Sequence, residues 1–94
     1  MLIISLTYLK STEEADRFMQ GHMEWVKRGY LEKGFIASGR KVPRTGGVIL
    51  AKGNKEDIQA YLDIDPFATE GIASYDVVEV DITTVTEGFE QLRS

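Results

Sequence analysis

A single histidine, His22, serves the 94-residue chain, and there is no cysteine. Imidazole is the one side chain whose ordinary pKa puts its charge change between about pH 5 and 8. Proton transfer near neutrality therefore falls first to His22. It lies four residues after Phe18, three after Met19 and four before Val26. On a 3.6-residue period, that spacing turns the ring toward the body of the protein. A buried imidazole still needs partners for its ring nitrogens. Two readings follow: a core histidine bonded to a carbonyl or buried carboxylate, and a group held for acid–base work. Gly21 precedes it, and a helical glycine costs about 0.5–1 kcal/mol relative to alanine. Either another group approaches closely there or the site tolerates the cost.

Asp65-Pro66-Phe67 is the second group of interest. A carboxylate fixed before Pro66 could orient an imidazole, set its tautomer and stabilise its protonated form. It could equally end a helix by bonding nearby amides, since Asp-Pro is a common turn signal. The distinction rests on whether His22 and Asp65 meet in space. The third group is Ser38-Gly39-Arg40-Lys41, leading into Arg44. Gly39 within a strand marks a bulge or a close approach to a ligand. Ser38 can donate to a substrate oxygen, and Arg40, on the same strand parity, can grip a carboxylate bidentately. Lys41 and Arg44 read as solvated hairpin residues. Trp25 and Phe67, with Tyr8, offer apolar walls.

Composition removes several alternatives. The formal charge of −4 argues against nucleic acid as a partner, which needs a basic face. One histidine without cysteine leaves no thiolate zinc site, iron–sulfur cluster or disulfide framework, and no metal site is expected. Neither a phosphate-binding loop, a dinucleotide fingerprint nor a G-x-S-x-G elbow occurs, so no cofactor is expected. The first ten residues lack a basic n-region and no apolar run approaches about 18 residues, so no leader or membrane span is expected and the cytoplasm is the default location. The length suits a single domain, residues 1–94.

The elements that must position these residues are legible in the patterning. Leu2 to Tyr8 alternates as a strand, with Leu2, Ile4, Leu6 and Tyr8 on one face. Ser11 opens a helix through a reciprocal capping box with Glu14. That helix is expected to run unbroken to about Glu32, with Gly34 as its stop. A second strand covers Phe35 to Val42 and ends at Pro43. Thr45-Gly46-Gly47 reverses the chain into a third strand, Val48 to Lys52. Asn54 caps a second helix that carries Ile58, Tyr61 and Leu62 inward and stops by Ile64 or Asp65. Phe67 to Ser74 reads as an irregular connector with Gly71 as a left-handed hinge. Tyr75 to Val85 reads as the last strand, and Phe89 and Leu92 could dock a short helical turn. The order β-α-β-β-α-β gives an α+β, ferredoxin-like sandwich. Its strands are apolar on both faces, as in Leu2-Ile3-Ile4 and Val48-Ile49-Leu50-Ala51. A second copy of the sheet would cover the free face, so a homodimer with a barrel-like shared core is expected.

Over nearly its whole length the chain resembles the YCII-related (YciI-like) domain family. The resemblance is carried by Leu2-Ile3-Ile4-Ser5-Leu6, His22, Glu32-Lys33-Gly34-Phe35-Ile36-Ala37-Ser38-Gly39 and Gly46-Gly47-Val48-Ile49. It continues through Asp65-Pro66-Phe67 with Gly71 and Val77-Val78-Glu79-Val80. It implies a dimeric α/β barrel whose active-site histidine and aspartate correspond to His22 and Asp65. A dehydrochlorinase of a chlorinated hydroxyquinol belongs to the family, and muconolactone isomerases share the wider fold. Arg40 stands where the family frequently carries a proline. The expected function is cofactor-free lyase or isomerase chemistry on a small anionic organic molecule. His22 and Asp65 would be catalytic, and Ser38, Gly39, Arg40, Trp25 and Phe67 would hold the substrate. A non-catalytic, metabolite-binding dimer is the alternative.

Overall fold

A computed structural model describes residues 1–94. The chain runs β1 (Leu2–Tyr8), α1 (Thr12–Arg17), α2 (Met19–Glu32), β2 (Phe35–Arg40), β3 (Gly46–Ala51), α3 (Lys55–Leu62), α4 (Pro66–Thr69) and β4 (Ala73–Glu79). A 3₁₀ turn at Glu90–Leu92 follows. The four strands form one antiparallel sheet in the order β2-β3-β1-β4. This is the α+β arrangement that the element order implies. No helix is long and apolar enough to cross a membrane.

One face of the sheet carries the helices. Leu2, Ile4 and Leu6 of β1 are buried there, opposite Ala51 and Ile49 of β3 and flanked by Val77 and Tyr75 of β4. Each fully buried Leu or Ile contributes roughly 1.5–3 kcal/mol relative to an exposed one. Helix α2 is locked to α3 by a reciprocal exchange. The Trp25 indole N–H donates to the Tyr61 carbonyl at 2.9 Å, and the Tyr61 hydroxyl donates to the Trp25 carbonyl at 2.6 Å. Their rings stack at 4.7 Å. Gly29 brings α2 onto β2, because a Cβ there would stand 2.2 Å from the Phe35 ring.

The opposite face has no helix. Its register aligns Ala37, Leu50, Ile3 and Val78 in one row across all four strands, with Val48, Ser5 and Asp76 in the next. Val78 is 55 % exposed.

Several boundaries differ from the sequence reading. The first helix is two helices, broken at Phe18, where the backbone takes φ −112° and ψ 9°. Phe18 N–H donates to the Ala15 carbonyl, an i−3 turn that jogs the axis. The capping box is half present: Ser11 Oγ accepts from the Glu14 amide, but the Glu14 carboxylate turns to Arg17. The connector after Pro66 contains helix α4, and β4 ends at Glu79 instead of Val85. Val80 still donates to the Met1 carbonyl. Strand β2 stops at Arg40, short of Val42.

Candidate functional site

His22 is 8 % exposed and Asp65 is fully buried. Their side chains meet across 43 residues of sequence: His22 Nδ1 lies 2.9 Å from both carboxylate oxygens of Asp65. A carboxylate only accepts, so the shared proton resides on Nδ1, which donates. Nε2 makes no hydrogen bond within the chain, and the His22 ring lines a cleft of about 360 Å³. With Nε2 unprotonated, the imidazole offers a lone pair to the cleft. The same proton placement on the far nitrogen is used by carboxylate-oriented histidines that act as bases.

Local structure fixes both partners. Asp65 caps α4: its Oδ1 accepts from the Phe67 amide at 3.1 Å, and Pro66 occupies the first helical turn. Asp65 thus opens α4 and does not end α3, which stops at Leu62, and the same carboxylate holds the imidazole. Phe67 stacks on His22 with ring centres 4.0 Å apart and planes 2° from parallel. Trp25 stacks on the ring from α2 at 5.7 Å. Gly21 explains how α2 comes close enough, since a Cβ there would lie 3.2 Å from Pro66 Cγ. The group that approaches Gly21 is the proline of the Asp-Pro turn.

The cleft lies between α2 and the inner face of β2 and β3. A bulge between Phe35 and Ala37 determines what faces it. Phe35 points inward; strict alternation would bring Ala37 and Gly39 in after it. The extra residue instead turns Ser38 and Arg40 inward, opposite Ile49 and Gly47. The irregularity therefore sits at Ile36 and not at Gly39, where an added Cβ would meet nothing within 4 Å. The constrained glycines of the cleft are Gly46, where a Cβ would overlap the Leu6 carbonyl oxygen, and Gly47, where it would lie 2.8 Å from the Gly39 carbonyl oxygen. Arg40 lines the cleft and forms no salt bridge in the chain. The Ser38 hydroxyl pairs with the Tyr30 hydroxyl at 2.7 Å.

The sequence-derived residues thus divide. His22, Ser38, Gly39, Arg40 and Phe67 line the cleft, with Asp65 directly behind His22. Trp25 does not line it, which corrects the expectation that it forms a wall. At i+3 from His22 its indole turns to Tyr61 and the core, and Met19, Met23 and Val26 supply that wall. Tyr8 lines the cleft and meets Phe67 edge-on at 5.9 Å.

Arg44, expected to be merely solvated, bonds Asp16 at 2.6 Å and lies over the Tyr8 ring. That hydrogen bond holds the Asp16 carboxyl below its ordinary pKa, with the charge of Arg44 adding to the effect. Lys41 donates to Thr7 Oγ1 at 3.0 Å. Tyr30 was missed by the sequence reading; its place four residues beyond Val26 was the available signal.

A family model, the YCII-related domain, matches residues 1–81. The sequence matches no curated protein. Among solved structures, the chain is similar to the 5-chloro-2-hydroxyhydroquinone dehydrochlorinase of Burkholderia phenoliruptrix AC1100, solved with 2,5-dihydroxybenzoquinone. The TM-score is 0.70 at 14 % identity, covering 87 % of this chain and 95 % of that one. At that identity the similarity concerns the fold.

Proposed function

The chain belongs to the YCII-related domain family, and from that membership and the site geometry we propose that it is a small cofactor-free enzyme working by His22/Asp65 acid–base chemistry. The observation that carries the reading is the His22 Nδ1 contact with both oxygens of buried Asp65, with the other ring nitrogen left for the cleft. In the forward step Nε2 takes a proton from the substrate, and Asp65 stabilises the imidazolium that forms. The electron pair left behind makes a double bond. In an elimination a leaving group departs with its own electron pair; in an isomerisation the proton returns at another carbon. Both are lyase- or isomerase-type outcomes of one geometry.

The cleft also supports the substrate class. Its volume of about 360 Å³ is near the lower end of the roughly 300–1,000 Å³ of ligand pockets, which suits a single ring. Leu6, Met19, Val26 and Phe67 supply apolar contact, while Ser38 and Arg40 bring donors. Arg40 is a cation without an internal partner, which favours an anionic substituent. The cysteine-free composition suits work in the cytoplasm. The apolar row Ala37, Leu50, Ile3 and Val78 on the helix-free face supports a sheet-to-sheet homodimer forming an α/β barrel. Sedimentation at micromolar concentration tests this: wild type is expected as a dimer and Val78→Asp as a monomer. A monomeric wild type would remove the dimer.

The catalytic reading is tested with single-ring hydroxy and keto acids and halogenated hydroxyquinols in D₂O. Proton NMR follows deuterium incorporation or loss of a leaving group. Wild type should turn over a member of the set, and His22→Gln should lose about 10²–10⁴-fold in rate while remaining folded. Equal rates in the two proteins would leave the cleft as a non-catalytic binding site.

A further inference from the structure

We propose that Tyr30 is a positioning residue: its phenolic hydroxyl donates to Ser38 Oγ and thereby aims the serine's own proton at an acceptor oxygen of the ligand. The inference rests on the reading that the cleft takes a small oxygenated ring. The two hydroxyls lie 2.7 Å apart. Ser38 lines the cleft and Tyr30 stands behind it on α2, two turns beyond His22. A phenolic hydroxyl is a stronger acid than an alkyl hydroxyl, so Tyr30 is the stronger donor of the pair. Ser38 then accepts through a lone pair and keeps one proton for a second partner. A hydroxyl that accepts while donating is also polarised by the first bond, which strengthens the second.

Two further features make the pair a device for direction. An exposed serine hydroxyl otherwise samples three staggered side-chain positions. Tyr30 can restrict it because its ring is anchored edge-on to buried Phe35, at 6.0 Å and 80°. The bulge at Ile36 supplies the other half by rotating Ser38 onto the inner face, where Arg40 follows two residues later. Ser38 and Arg40 then both donate into the cleft, and His22 Nε2 opposes them with a lone pair. This polarity selects a ring that presents a carbonyl or oxyanion to Ser38, a second oxyanion to Arg40 and its labile proton to His22.

Two measurements test the proposal. Crystal structures at about 1.2 Å should show Ser38 in one rotamer in the wild type and in several in Tyr30→Phe, which keeps the ring and its contact with Phe35. Titration with 2,5-dihydroxybenzoquinone gives the functional arm. Tyr30→Phe and Ser38→Ala should each weaken binding about 3- to 10-fold, the scale of one neutral hydrogen bond. The double variant should bind no worse than Ser38→Ala alone. A single unchanged Ser38 rotamer in Tyr30→Phe would overturn the proposal, as would unaltered affinity or losses that simply add. If wild type does not take up the quinone, the proposed function suffers, and the rotamer comparison alone decides for or against Tyr30.

Discussion

Replacing Asp65 should separate its two jobs by their energies. In Asp65→Ala the α4 cap is lost, which costs about 1 kcal/mol. The charge-assisted bond from His22 Nδ1 is lost as well, worth about 1.5–3 kcal/mol, and the imidazole N–H remains buried without a partner. Because Asp65 is fully buried, water cannot replace either bond. The expected total is about 3–4 kcal/mol. For a domain this small it corresponds to a fall in Tm of about 12–30 °C. Asp65→Asn retains volume and an oxygen for the Phe67 amide, so its cost should stay near 1 kcal/mol. It presents an N–H₂ group to Nδ1, however, and the imidazole proton moves to Nε2. Asp65→Asn should therefore be folded but lack the cleft-facing lone pair. Urea denaturation of the two variants provides the assay. A cost below about 1 kcal/mol for Asp65→Ala would refute the account of a buried, doubly used carboxylate.

Other consequences are independent of the substrate. Gly29→Ala should destabilise by about 1–3 kcal/mol through overpacking against Phe35, despite the roughly 1 kcal/mol that alanine gains in helix propensity; a stabilised variant in thermal melts would contradict the close contact of α2 with β2. Burial raises the Tyr61 phenol above its ordinary 10.0, with the charges of Glu32 and Asp65 adding to it and Arg28 opposing. The folded state thus holds this proton to higher pH than the unfolded state, so stability is full below pH 10 and falls as pH rises above it. Denaturation midpoints of wild type should drop more steeply above pH 10 than those of Tyr61→Phe. The Asp16 carboxyl has the opposite sign: its pKa is lowered by Arg44, so its contribution is present above the ordinary value of 3.8 and is lost as pH falls through the folded value. Asp16→Asn should flatten the acid limb of the same midpoint profile.

Much of this molecule is written locally in its sequence. Alternation in Leu2–Tyr8, the caps at Ser11 and Asn54 and the left-handed Gly34 and Gly71 all follow from short-range rules, and the structure carries each of them. Spacing alone left the meeting of His22 with Asp65 open; the family resemblance implied it, and the structure brings the two side chains to 2.9 Å. Helix α4 was also within reach: Asp at the cap followed by Pro in the first turn is a helix start, although Asp-Pro taken alone reads as a turn. Other features depend on partners distant in sequence. No residue type announces the break at Phe18, and the bulge at Ile36 exists only in register against β3. Trp25 was misplaced for the same reason. Its apolarity was plain, but three residues from His22 it turns away from the cleft, and only the position of α3 shows that Tyr61 receives it.

The central claim concerns one nitrogen and its lone pair. A long-range ¹H–¹⁵N spectrum of uniformly labelled protein reads both ring nitrogens of the only histidine, free and with the single-ring compound that the turnover screen selects. The account predicts that Nδ1 keeps its proton bonded to Asp65 in both states, while the Nε2 signal shifts when the ligand occupies the cleft. An Nδ1 without a proton in the free protein, or an Nε2 signal indifferent to the ligand, would contradict it.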